Sequence, residues 1–74
     1  MAYRLSSSMF ITIGKNIKKI RKQQKRDQLA VAVEAGIEPG YYSRIERGSA
    51  NTSLEKIYAI ARALRVKSSD ILPF

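Results

Sequence analysis

Between Pro39 and Gly48 the chain reads "PGYYSRIERG", ten residues that set two tyrosines, a serine and two arginines between a proline and a glycine. An arginine presents a planar fork of N–H donors that matches paired acceptors, and phenol or hydroxyl groups donate to anionic oxygens. Such a cluster suits recognition by hydrogen bonding and charge. Catalysis has little support: the chain has no histidine and no cysteine, and its six carboxylates are scattered. The commonest general base, the thiolate nucleophile and the usual nitrogen and sulfur metal ligands are all missing. No enzyme activity, metal or cofactor is expected.

The charge points the same way. Fourteen Lys and Arg stand against six Asp and Glu, a net charge of +8, with a pI near 10.2. An excess of this sign favours polyanionic partners, either nucleic acid or an anionic membrane surface. No apolar run approaches the roughly 20 residues that span a bilayer. The start, "MAYRLSSSMFITIGK", makes a poor signal peptide, so a cytoplasmic protein is expected. With 74 residues there is room for one domain, and a chain near this length buries only about 60% of its unfolded surface. Self-association would help it.

The elements that must position the cluster are helices. Ile13, Ile17, Ile20 and Gln24 recur at spacings of four, three and four, the stripe of a helix with one buried face. Lysines cover its other faces. Arg21 borders the stripe and needs a carboxylate partner. Asp27 can cap a second helix, "QLAVAVEA", that ends at Gly36. Pro39 suits the first turn of a third, with Ile37 and Tyr42 as a hydrophobic staple and Gly48 as its close. Thr52 to Glu55 fits a capping box for a fourth helix, whose apolar face is Leu54, Ile57, Ile60, Ala61 and Leu64. "SSDIL" forms a last short helix before Pro73. The expectation is an all-α domain of five helices over residues 13–74. Residues 1–12 form an extension that joins the first helix through Met9 and Phe10, touches a partner subunit or stays disordered.

With these elements placed, the sequence resembles the lambda-repressor-like helix–turn–helix family, also called XRE or Cro-like. "IGKNIKKIRK", "DQLAVAVEAGI", "YYSRIERG" and "NTSLEKIYAIARAL" carry the likeness, in the family's order, over residues 13–72. The length is also similar to that of restriction–modification controller proteins. There are departures. Lys25, Arg26 and Asp27 stand where relatives usually have glycine, an apolar residue and Ser or Thr. Glu38 stands where a hydroxyl often caps the recognition helix, and Leu29 and Val33 where residues are commonly polar. Arg65 replaces a frequent glycine, at a cost of about 1 kcal/mol if that residue is left-handed.

The resemblance implies a compact lambda-repressor-like domain whose second and third helices form the helix–turn–helix. It implies a homodimeric, sequence-specific regulator of transcription bound to a (pseudo)palindromic operator in double-stranded DNA, acting by blocking or contacting RNA polymerase. By position it assigns base-edge proximity to Pro39, Gly40, Ser43 and Arg44. Of these, Arg44 is the strong reader, because its fork matches the two acceptors of guanine. Gln28 is assigned to the DNA backbone, and Tyr41, Lys25, Arg26, Ser49 and Asn51 are further backbone candidates. About four to six phosphate contacts per subunit would make affinity fall steeply with salt. Arg21 and Glu46 are paired as a structural salt bridge, and Tyr42 faces the core. Ile71, Leu72 and Phe74 form an apolar cluster expected at the dimer interface, which would set the recognition helices about 34 Å apart.

Two rival readings stay open on the sequence. An antitoxin or adaptor would bind a protein partner first and DNA second. A basic amphipathic protein would lie on a membrane surface, although capped helices with regular apolar stripes argue for a self-contained globule.

Overall fold

A computed structural model describes residues 6–73. Its helices are α1 (Ser7–Gln23), α2 (Gln28–Ala35), α3 (Pro39–Glu46) and α4 (Leu54–Leu64), followed by a 3-10 turn at Ser68–Asp70. The first helix starts well before the apolar stripe, because the Ser6 hydroxyl accepts from the Met9 amide at 3.3 Å. Residues 7–12 therefore belong to α1, and residues 1–5 lie outside the described part of the chain. The Asp27 carboxylate accepts from Ala30 N at 2.7 Å and starts α2. The fourth cap falls one residue later than expected: Ser53, not Thr52, accepts from Lys56 N, while Thr52 is buried.

The expected fifth helix is a single turn, so the count among the described residues is four. Asp70 accepts from the Lys67 amide at 3.0 Å and tightens the chain there. Pro73 then disfavours helical geometry at the residue before it. Three residues cannot offset the cost of helix nucleation.

All four helices end alike. Each closes with a pair of bonds to its last turn: Arg26 to Arg21 and Lys25 to Lys22 after α1, Ile37 to Ala32 and Gly36 to Val33 after α2, Ser49 to Arg44 and Gly48 to Ile45 after α3, Val66 to Ala61 and Arg65 to Arg62 after α4. This motif requires one left-handed residue. Gly36 and Gly48 supply it without strain, at φ 70° and 74°, but Lys25 and Arg65 adopt φ 56° and 59°. Two basic side chains thus sit where glycine fits best.

The buried side chains form one cluster. Ile13 and Ile17 of α1, Val31 and Ala32 of α2, Tyr42 and Ile45 of α3, and Ile57, Ile60 and Leu64 of α4 meet in it. α3 packs on α1 and α2, and α2 packs on α4. α1 crosses α3 so closely that a Cβ on Gly14 would lie 2.5 Å from the carbonyl oxygens of both Ile45 and Glu46. Within the C-terminal cluster, Ile71 does not have the expected place. Ile71 is 0% exposed and belongs to the core, its carbonyl accepting from the Asn16 amide group at 2.8 Å. Leu72 packs half-buried against the same cluster, and Phe74 lies outside the described residues. A core this small draws Ile71 inward and Leu72 partly so. The large apolar side chains left exposed on α4 are instead Leu54 (60%) and Tyr58 (58%), one turn apart.

Alanine is the better helix former by about 1 kcal/mol, yet Gly14→Ala is expected to lower the thermal midpoint, since overpacking costs about 1–3 kcal/mol. Arg65→Gly is expected to raise it. Left-handed geometry costs a non-glycine residue about 1–2 kcal/mol, more than the roughly 0.4–1 kcal/mol that glycine loses through unfolded-state entropy. Calorimetric melts of the two variants check both signs.

Candidate nucleic-acid interface

The third helix has two unlike faces. Tyr42, Ile45 and Glu46 are buried, whereas Pro39, Gly40, Arg44 and Arg47 are exposed and Ser43 is half-exposed. A helix of eight residues would not hold its shape alone, so its rigidity comes from the contacts beneath it. Glu46 is the centre of these. Arg21 of α1 donates to it twice, Nε to Oε2 at 2.7 Å and Nη2 to Oε1 at 3.1 Å. Gln28 of α2 donates its Nε2 to Oε1 at 2.9 Å. The remaining Arg21 nitrogen, Nη1, reaches the carbonyl of Arg26 in the α1–α2 turn at 2.8 Å. One carboxylate thus ties three helices together.

Its protonation follows from these partners. Burial pushes the Glu46 carboxyl up, but Arg21 outweighs it with the help of Tyr42 and Gln28, and the net shift is downward. Arg21 is held further up, chiefly by its bonds to Glu46. Burial, and then Glu46, push the Tyr42 phenol above its ordinary range. Its hydroxyl feels both charges but does not meet hydrogen-bond geometry with either.

Both ends of α3 are fixed. Glu38 closes the start: its carboxylate accepts from Gly40 N at 3.0 Å and Tyr41 N at 2.9 Å. Those two bonds hold its pKa below the ordinary carboxylate value. A glutamate does the work of the missing hydroxyl. At the other end, Ser49 gives both its amide and its hydroxyl to the Arg44 carbonyl, at 3.0 and 3.3 Å. The Arg44 guanidinium stands 5.7 Å from the centre of the Tyr41 ring, a cation–π arrangement that limits where the fork can point.

Several residues expected at the DNA backbone have other employment. The Tyr41 hydroxyl donates to the Asn51 carbonyl at 3.1 Å, so it anchors the loop after α3 and has no proton left for a phosphate. Gln28 spends an N–H on Glu46 and acts first as a strut. Arg26 turns inward: Nη1 donates to Ala63 O at 2.7 Å and Nη2 pairs with Glu34, which joins the α1–α2 turn to the end of α4. Lys25 stays exposed at its strained position.

Lys15, Lys18 and Arg47, which the sequence did not single out as contacts, lie with Gln28 and Glu46 on the other flank of α3. Ile11, Lys15, Lys18, Gln28, Glu46 and Arg47 line an open groove of about 440 Å³. Its carboxylate is already bonded to Arg21, so the groove is basic. Ile11, Lys15 and Lys18 follow one another at helical spacing, which places them on one face of α1. That much is readable in the sequence; Arg47 joins them only through tertiary packing. Among the described residues no group of three His, Cys, Asp or Glu could hold a metal ion, and no helix is long and apolar enough to cross a membrane.

Known proteins resemble this chain in sequence and in fold. A family model described as helix-turn-helix matches residues 17–71. An immunity repressor protein of Bacillus phage phi105 is 39% identical over 62 residues, covering 84% of this chain but only 43% of the repressor. The control protein C.BamHI of Bacillus amyloliquefaciens is 32% identical over 71 residues, with 95% of this chain and 88% of that protein covered. The crystal structure of the restriction-modification controller protein C.AhdI from Aeromonas hydrophila superposes with a TM-score of 0.84 at 25% identity, over 88% of this chain and 98% of that one.

Removing one partner of a buried pair leaves a charge without its match, at a cost of about 3–5 kcal/mol. Glu46→Gln is expected to lose about that much in urea unfolding, while Arg21→Met with Glu46→Met recovers most of it. The pH dependence has a definite sign. Because the Glu46 pKa is lowered by folding, its contribution is present above the ordinary carboxylate range and is lost as pH falls through the lowered value. The doubly substituted protein should lack that part of the acid sensitivity.

Proposed function

The chain belongs to the lambda-repressor-like helix–turn–helix family, and on that premise we propose that it regulates transcription as a homodimer bound to a two-fold symmetric DNA operator. The observation that carries this reading is the outward face of α3. It presents Pro39, Gly40, Ser43 and Arg44 on a helix pinned from below by Glu46 and closed at both ends. In a helix–turn–helix that face enters the major groove. Arg44 would then read guanine through N7 and O6, and Lys15, Lys18 and Arg47 would grip phosphates along the flanking strand. Lys25 would approach the backbone from the α1–α2 turn, with Ser49 and Asn51 beyond the far end of α3.

The relatives support the reading by what they are, an immunity repressor and a controller protein. Regulation needs no chemistry at this site: a protein seated on a promoter acts by excluding RNA polymerase or by touching it. Leu54 and Tyr58 on the outer face of α4 are the candidate dimer contacts, in place of the buried Ile71. Arg62 lies 5.9 Å from the Tyr58 ring and would flank that patch.

An adaptor that binds a protein partner first is the second reading. Leu29 and Val33, exposed one turn apart on α2, are the observation in its favour. A stable complex with a different protein in the native host, surviving purification, would favour it over the first.

Selection of bound sites from random duplexes at fixed salt tests the proposal, and a motif of two half-sites one helical turn apart is the expected result. Arg44→Ala should cost about 1–3 kcal/mol of discrimination at one guanine per half-site. Lys15→Ala and Lys18→Ala should each weaken binding to all duplexes alike. Each should also flatten the slope of log affinity against log salt by about 0.9 for every phosphate the lysine neutralises. Binding that ignores sequence would contradict the proposal.

A further inference from the structure

We propose that Glu38 is a specificity-determining residue: its carboxylate, held at the tip of α3, accepts a hydrogen bond from the 4-amino group of a cytosine in the operator. The inference rests on α3 being the helix that enters the major groove.

Geometry comes first. A carboxylate offers about four lone-pair positions on its two oxygens. Gly40 N and Tyr41 N occupy one on each, at 3.0 and 2.9 Å. The side chain is thus already fixed in the free protein, and acceptor positions remain on both oxygens. Glu38 is exposed, and so are its neighbours Pro39 and Gly40. A Cβ at Gly40 would stand only 3.1 and 3.3 Å from the two carboxylate oxygens, so the missing side chain leaves this side of the carboxylate open. The same two bonds keep the group ionised by lowering its pKa.

Charge then decides what it can meet. The amides that make a helix start attractive to phosphate are here taken by the protein's own anion, so the start of α3 is closed to a DNA phosphate. An anion brought into a groove between phosphate strands is repelled unless it finds a donor. The base-edge donors of the major groove are the amino groups of cytosine and adenine. Adenine sets N7, an acceptor, beside its amino group, which repels a carboxylate. Cytosine carries no acceptor on that edge of the base, and it is the match for Glu or Asp. Glu38 and Arg44 are six residues apart, about 9 Å along a helix axis at 1.5 Å per residue. The cytosine should therefore lie within about three base pairs of the guanine read by Arg44, at 3.4 Å per step.

Two substitutions keep a cap and change the reader. Glu38→Ser restores a hydroxyl cap; Glu38→Gln keeps one oxygen and adds an N–H, the combination that pairs with adenine. Wild type and both variants are put through site selection at one salt concentration, with circular dichroism melts to confirm folding. The wild-type motif is expected to contain a cytosine at that position. E38S should lose the preference about tenfold, and E38Q should shift it towards adenine, while the guanine position is retained in both. A duplex carrying 2-pyrimidinone, which lacks the amino group, in place of that cytosine should bind the wild type about tenfold more weakly and E38S no worse than the cytosine duplex does. Identical motifs from folded wild type and E38S, or equal wild-type affinity for the two duplexes, would overturn the role of Glu38 and leave α3 as the reading helix. A wild type that selects no motif at all would bring down both.

Discussion

The orientation of α3 depends on one buried carboxylate. Glu46 takes two donors from Arg21 on α1 and one from Gln28 on α2, and the same guanidinium reaches back to the α1–α2 turn. A core of aliphatic side chains tolerates small rotations of a short helix, because dispersion has little directional preference. A bidentate guanidinium–carboxylate pair does not. Gly14 complements it: with no side chain at the crossing, the α1 and α3 backbones come close enough for the pair to form. The apolar cluster supplies the cohesion, and the ion pair sets the register in which α3 presents its outer face.

That outer face is kept in order by local devices as well. The Glu38 carboxylate closes the start of the helix and the Ser49 amide and hydroxyl close the end. The Tyr41 ring lies against the Arg44 guanidinium and its hydroxyl holds the loop that follows. A side chain arranged before binding loses less freedom when it binds. The cost falls on the supporting residues: Tyr41 directs its single hydroxyl donor into the protein, and Gln28 and Arg26 each commit part of theirs there.

Much of the fold is legible in the sequence because its boundaries carry local signals. Asp27, Gly36, Pro39 and Gly48 mark the ends of α2 and α3: Asp27 caps with its carboxylate, and the proline and glycines act through their own backbones. The partnership of Arg21 with a carboxylate is also readable, since an arginine beside an apolar stripe must find one. What escapes needs either distance in space or a tally of bonding partners. Ile71 looks like surplus surface until α1 and α4 are seen to close over it. Arg26 looks like a free cation until the end of α4 arrives beside it. The serines before Met9 hide the true start of α1, because any of three could cap it. The turn at Ser68 looks like a helix because composition does not reveal how few bonds it can close. Lys15 and Lys18 are visible in the sequence as one basic face of α1, and only packing against Arg47 turns that face into a groove.

The central claim is that a carboxylate-pinned α3 carries its outer face into the major groove unchanged. A crystal structure of the protein on its selected duplex tests it most directly. The account predicts Arg44 against a base edge, with Glu46 still bonded to Arg21 and Gln28 as in the free protein. A complex in which α3 lies away from the DNA, or in which those bonds open so that Arg21 or Gln28 can reach a phosphate, would contradict it.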